Sequence, residues 1–268
     1  MRIEESFPKR IICLTEEFVE TLYLLNEQKR IIGISNYAVR PKQARKENIV
    51  VCSFIKANTE KILKLNPDLV LGFSDIQADI AQKLIKQGVS VWINNYRSIN
   101  GIKIMINQLG LIVGKSKESQ KIINDIEKDI KIILDKNTKR SKKPRVYFEE
   151  WFDPLISSIK WVSEIIEICG GTNYCSSKDA ESLAEDRIIK DPQEIVDFNP
   201  DIILVSWCGK KFKKEKMIKR DRWNSINAIK NNNVYEIDSS IILQPGPAAL
   251  TDGLMIINKI IDDWYNSK

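Results

Sequence analysis

Three observations predict an α/β protein made of two similar parallel-sheet βα lobes joined by one long connecting helix. Short β-branched runs alternate with amphipathic stretches, the pattern that lays strands in parallel with helices across them. A 15-residue element then occurs twice, as TEKILKLNPDLVLGF at Thr59–Phe73 and as PQEIVDFNPDIILVS at Pro192–Ser206. Between the two copies, Ser116–Leu134 sets Ile122, Ile123, Ile126, Ile130 and Ile133 on one helix face. In open sheets of this kind ligands bind beyond the carboxyl ends of the strands. Two such lobes predict a ligand cleft between them.

Arg10–Leu14 reads as the first strand. Glu16–Asn26 follows as a helix with Thr15 at its N-cap and Phe18, Leu22 and Leu25 on one face. Arg30–Ile34 is a strand, Asn58–Leu65 a helix, Asp68–Gly72 a strand, Ile76–Gln87 a helix and Val89–Ile93 a strand. After the connecting helix and a basic stretch, Arg145–Glu149 is a strand and Val162–Cys169 a helix stopped by Gly170-Gly171. Pro192–Phe198 is a short helix, Asp201–Ser206 and Val234–Ile237 are strands, and Ala248–Tyr265 closes the chain as a helix. In both repeated elements the Asn before Pro ends the helix, because that position resists the right-handed helical conformation, and Asp then opens a buried strand. The expected organisation is an N-terminal lobe over 1–113, the connecting helix and basic linker over 114–143, and a C-terminal lobe over 144–268.

Composition removes several function classes. With 43% hydrophobic and 29% charged residues, the 268-residue chain is neither disordered nor a disulfide mini-scaffold. No apolar run approaches the roughly 18 residues of a membrane span, so no membrane insertion is expected. There are no histidines. A Ser-His-Asp triad, a Cys-His dyad and a HExxH zinc site are therefore impossible. The net charge of +6 gathers at Lys136–Lys143 and Lys210–Arg220. The first of these has neither aromatic platforms nor a reading helix, and no nucleic-acid partner is expected. Cys13, Cys52, Cys169, Cys175 and Cys208 are scattered without a CxxC pair, which fits free thiols in a reducing compartment. The opening MRIEESFPKRIICL has no leader-type apolar core. A cytoplasmic location is expected, or a periplasmic one if a leader precedes this chain.

Candidate binding residues stand just after the strands. They are Tyr37 and Arg40, Phe73 and Ser74, and Tyr96 in the first lobe, then Glu149, Trp151, Trp207, Lys210, Lys211 and Gln244 in the second. Aromatic rings with a few polar groups suit a large flat ligand, since Tyr and Trp supply contact area at low entropic cost. Trp151 and Trp207 have a second reading as caps of the sheet core. Lys210-Lys211 either cradle an anion or begin a solvated helix. Glu149 and Glu150 alternate across a strand, so one faces the cleft and the other meets a cation or solvent. Cys208 beside two lysines is the single candidate nucleophile.

The strings GISNY with Arg40-Pro41, GFSD with Gln77-Ala78-Asp79, YFEEW with Asp153-Pro154, WVSE from Trp161, SWCGKKF from Ser206 and LQPGP from Leu243 together resemble the class III substrate-binding proteins of ABC importers. This is the iron-siderophore and cobalamin periplasmic-binding fold, and its cobalamin-binding branch is the nearest in pattern. The resemblance runs from about Arg10 to Trp264. It implies a monomeric, non-catalytic receptor with no covalent cofactor, which holds cobalamin or a related corrinoid and hands this small-molecule ligand to an ABC permease. Some relatives carry a histidine where this chain has Lys160, so histidine ligation of a bound metal is absent here. The alternative is a cytosolic ligand-processing enzyme on the same scaffold, using Cys208 with Lys210, Lys211 and Glu149.

Overall fold

A computed structural model describes residues 6–53, 56–174 and 183–267. Cys175 lies outside the described residues. The chain divides into two compact units. One is Met1–Tyr96 with Asn100–Asp125 and Gln244–Ala248; the other is Arg97–Ile99 with Ile126–Leu243 and Ala249–Lys268.

The first unit contains β1 (Ile11–Cys13), α1 (Glu16–Leu24), β2 (Ile31–Ser35), α2 (Ala44–Glu47), β3 (Val50–Cys52), α3 (Thr59–Lys64), β4 (Leu69–Phe73), α4 (Ala78–Ile85) and β5 (Val91–Asn94). Helix α5 (Ile99–Ile112) follows, and α6 (Ser116–Asn137) contributes residues to both units. The five strands form a parallel sheet in the order β3-β2-β1-β4-β5. Strands β1 and β4 lie inside the sheet and are buried along their whole length. That is why they read as unbroken apolar runs rather than alternating ones.

The second unit contains β6 (Arg145–Glu149), β7 (Trp151–Phe152), β8 (Leu155–Ile156), α7 (Lys160–Ile168), β9 (Thr172–Asn173), α8 (Gln193–Phe198) and β10 (Ile202–Val205). It continues with α9 (Lys214–Ile218), α10 (Asn227–Lys230), β11 (Val234–Glu236), α11 (Ser239–Ile242) and α12 (Leu254–Asn266). Its parallel sheet runs β11-β10-β6-β9, and β7 pairs with β8 as a small antiparallel hairpin. Tyr147, Ile203, Val205, Trp223 and Met217 form the heart of its core.

The repeated Asn-Pro-Asp element performs the same task in both units. Asn66 and Asn199 both adopt left-handed backbone, with φ of 47° and 48°. The pre-proline position escapes the forbidden right-handed region by this route, which Asn tolerates better than most residues. The Asp two places on then clamps the start of the neighbouring strand. Asp68 accepts hydrogen bonds from the backbone N–H of Lys9 and Arg10 at 2.7 and 3.0 Å, while its own N–H donates to the Arg10 carbonyl at 3.0 Å. Asp201 likewise accepts from the Arg145 N–H at 3.0 Å and donates its N–H to the Arg145 carbonyl at 2.8 Å.

Four details differ from the sequence expectations. Helix α5 was not anticipated, because its apolar residues and Gly101 and Gly110 blur the helical period. Strand β3 is only three residues long and sits at the sheet edge. The closing helix does not start cleanly at Ala248; a π turn over Ala249–Gly253 precedes α12. Thr15 occupies the N-cap of α1 but makes no cap bond to the backbone, its hydroxyl donating instead to Glu17 at 2.6 Å.

Replacing Asp68 or Asp201 by Ala should each lower unfolding stability by about 1 kcal/mol through the lost strand clamp. Asn66→Ala should cost about 1–2 kcal/mol for the left-handed backbone, and Asn66→Gly clearly less. Thermal and denaturant unfolding of the four variants checks both statements.

Candidate functional site

In the second unit the chain winds outward from β6 to β9 and then back through β10 to β11, so the switch point falls between β6 and β10. Glu149 ends β6 there and is fully buried. Arg220 donates to its two carboxylate oxygens at 2.6 and 3.1 Å, the Trp207 indole N–H donates at 3.0 Å, and the Tyr147 hydroxyl at 3.3 Å. Desolvation raises the Glu149 pKa, and the Arg220 guanidinium foremost, then Trp207 and Tyr147, opposes that rise. Arg220 also donates to the Phe152 carbonyl at 2.9 Å and lies 4.4 Å from the centre of the Trp223 ring.

An aromatic shelf is built on this ion pair. The Phe152 ring stands 4.7 Å from Trp207 and 5.5 Å from Trp151, and Phe212 meets Trp207 at 5.1 Å. The Lys210 ammonium lies 5.0 Å from the Trp151 ring and 4.7 Å from Phe152, with Lys216 at 4.8 Å from Phe152. Trp151 is half-buried, its indole N–H donating to the Asp153 carbonyl at 3.0 Å, whereas Trp207 is 4% exposed. Lys210, Lys211 and Cys208 are exposed. Glu150 is paired with the buried Arg187 at 2.5 and 3.1 Å.

The first unit switches its winding between β1 and β4. Buried Gln77 fills that gap, accepting from the Phe73 N–H at 3.0 Å and donating to the Leu14 carbonyl at 3.4 Å. Phe73 is buried at the end of β4, and Ser74 follows with φ of 68°, its hydroxyl donating to Asp75 at 2.8 Å and accepting from the Ile76 N–H at 3.2 Å. Ser74 borders a groove of about 620 Å³ with Asp75, Ala78, Ile85, Ile93 and Asn95. Tyr37 is 46% exposed after β2, and Arg40 beyond it donates to Glu20 at 3.3 Å. Tyr96 is half-buried after β5, and a Cβ at Gly101 would come within 2.4 Å of the Tyr96 Cβ. Half-buried Gln244 opens the Gln244–Ala248 segment, which belongs by its contacts to the first unit.

The second unit thus brings Glu149, Trp151, Trp207 and Lys210 together, while the first spreads its five candidates over three strand ends. Glu149 offers no free oxygen to a ligand; it holds Arg220 and Trp207 in place. Phe152, Lys216 and Arg220 escaped the sequence reading. Phe152 was one residue from a chosen aromatic, but Arg220 is 71 positions from Glu149, and nothing local marks that pairing. The Cys208 thiol is not activated by the lysines: desolvation and the charge of Glu150 raise its pKa. Among the described residues no group of three His, Cys, Asp or Glu side chains is arranged to hold a metal ion. Glu149→Ala should cost about 3–5 kcal/mol, since Arg220 is left facing a buried void, and Cys208→Ser under about 1 kcal/mol; equilibrium unfolding distinguishes them.

Residues 11–241 match the family model described as periplasmic binding protein. The ABC transporter substrate-binding lipoprotein YvrC of Bacillus subtilis is 26% identical over 96% of this chain and 82% of its own length. The high-affinity heme uptake system protein IsdE of Staphylococcus aureus is 25% identical over 80% of this chain and 73% of its own. The structure of S. aureus IsdE complexed with heme superposes with a TM-score of 0.79 at 21% identity, covering 96% of this chain and 99% of that one. The periplasmic vitamin B12 binding protein BtuF of Vibrio cholerae gives 0.76 at 20% identity, covering 96% and 98%. These relatives overturn the cytoplasmic location expected from the opening residues, because lipoproteins and periplasmic binding proteins work outside the cytoplasm. They give no support to the ligand-processing enzyme either. The chain belongs to the periplasmic binding protein family, the non-catalytic substrate-binding proteins of ABC importers.

Proposed function

We propose that this protein captures a corrinoid-type metal chelate, cobalamin or a close relative, and delivers it to an ABC permease. The observation that carries the reading is the aromatic shelf of Trp151, Phe152 and Trp207 with the Lys210 and Lys216 ammonium groups on it. Flat rings give a macrocycle broad contact, and the ammonium groups suit amide-carbonyl or phosphate acceptors at its rim. Tyr37, Arg40, Phe73, Ser74, Tyr96, Lys211 and Gln244 are the other proposed contacts, Phe73 ending a strand and Gln244 following α11. Glu149 enters this set as the support of the shelf.

Donor chemistry argues for a chelate that arrives with its metal already ligated. The chain has no histidine, and Met105 and Met217 are fully buried, while exposed Met255 lies on α12. A corrinoid with its own axial base needs no protein ligand. Heme is the rival, since IsdE is named for heme uptake while BtuF is named for vitamin B12. Heme iron would call on the exposed Tyr37 phenol or the Cys208 thiol for an axial donor.

The test is a titration with cyanocobalamin and, separately, with hemin, followed by quenching of the six tryptophans. Saturable, stoichiometric binding of cyanocobalamin is expected, with Trp151→Ala weakening it by about 1–3 kcal/mol. Binding of hemin alone, with a Soret band altered in Tyr37→Phe, would replace the corrinoid reading by the heme one.

A further inference from the structure

Three glutamates gather at the start of α1, at the carboxyl end of β1, and two of them tie down neighbouring segments. Glu16, 2% exposed, accepts from the Val39 N–H at 3.1 Å. Glu20 accepts from the Ala248 N–H at 3.0 Å and from Arg40 Nε at 3.3 Å. Glu17 is fully buried beneath Gly246, where a Cβ would stand 2.6 Å from the Glu17 Cβ. Its Oε1 accepts from Thr15 at 2.6 Å, and its Oε2 has no hydrogen-bond partner among the described residues. The segments fixed in this way, 37–41 and 244–248, carry Tyr37, Arg40 and Gln244. No ligand in the proposed reading touches these glutamates.

We infer that Glu16 is a positioning residue whose carboxyl group holds the 37–41 segment, and that Glu17 is one by staying uncharged beneath the 244–248 segment, so that ligand affinity falls as the two ionise. For its ligand half this rests on the proposed function. The arrangement favours neutral carboxyls for a plain reason: three acids stand together, and the Arg40 guanidinium is engaged with one of them, Glu20. The other titratable group packed against them is Cys13 on β1, whose thiol pKa is raised by burial and then by Glu17. The 244–248 segment, Gln-Pro-Gly-Pro-Ala, brings backbone donors and no ionisable side chain. Ionising both buried acids therefore adds two negative charges that no cation pairs with among the described residues. Desolvation, the largest influence on both, lifts Glu16 to about 8 and Glu17 to about 7.

The sign of the pH effect follows. A carboxyl whose folded pKa exceeds its ordinary value of 4.5 binds more protons in the folded state between the two values. Its contribution is fully present below about 4.5 and is lost as pH rises towards about 8.

The experiment compares wild type with Glu16→Gln and Glu17→Gln between pH 5.5 and 9 by two readouts. Amide hydrogen exchange of the free protein, corrected for intrinsic rates, reports on Val39 and Ala248. Titration with cyanocobalamin and with hemin reports on affinity. Wild type should lose protection at both amides and about three- to tenfold in affinity across this range, the effect of half to one pKa unit of differential protonation. Each Gln variant, neutral at its own position at every pH, should make both profiles shallower, and the double variant should flatten them, while all keep wild-type affinity at pH 5.5. Exchange that does not change with pH, or an identical slope in the Gln variants, would overturn the inference. Altered exchange with constant affinity would overturn the coupling to ligand. Failure of both probes to bind at any pH would sink the proposed ligand class, leaving the exchange profile to decide the positioning role by itself.

Discussion

A parallel sheet that reverses its winding leaves a gap where the two chain directions part. Backbone groups at that gap have no strand partner beyond the carboxyl ends, and buried polar groups must be paired. Each unit of this protein answers the constraint with a buried side chain. In the first, Gln77 reaches from the Phe73 N–H to the Leu14 carbonyl with one neutral amide. In the second, the Ser206 N–H donates to the Glu149 carbonyl, while the Glu149 side chain gathers Arg220, Trp207 and Tyr147. The plug of the first switch point is neutral. The ionic one orders a guanidinium, a hairpin and an indole at once, and the aromatic shelf follows from it.

The buried acids of the two units illustrate how partners decide a carboxyl's state. Glu149 and Glu17 are equally hidden from water, and desolvation works against the charge of both. Glu149 has a bidentate guanidinium and two further donors; Glu17 has one hydroxyl and an acid for a neighbour. An ion pair of the first kind is rigid and strongly resists loss of either partner. In a cluster of the second kind burial raises the carboxyl pKa, to about 7 at Glu17. One protein thus uses the same residue type for a permanent fixture and for an adjustable one.

Much of the framework was legible because it is local. The alternation of apolar runs with amphipathic stretches marked the helices α1, α3, α4 and α6 and the strands β1, β2, β4, β6 and β10 within a few residues. The Asn-Pro-Asp pairs marked the internal repeat. What escaped was weakly patterned. Helix α5 is apolar on nearly every face, and β3 and β9 are edge strands of three and two residues. At the site, the candidates were found by position after a strand, which says where a residue sits and not what it touches. Glu149 met that criterion and is buried in an ion pair; Arg220 failed it and is that pair's other half.

The sequence by itself determined the α/β class, the doubled strand-clamping element, the absence of histidine chemistry and, through its motifs, the family. These are properties of neighbouring residues or of composition, and short-range patterns carry them. Tertiary structure alone decided which of two adjacent glutamates is interred, that Lys210 and Lys216 lie on Phe152, and that Gln244–Ala248 packs with a unit begun more than two hundred residues earlier. Pairing between distant positions depends on how sheets and loops stack, and the burial that raises the pKa of Glu16, Glu17 and Glu149 exists only once they have done so.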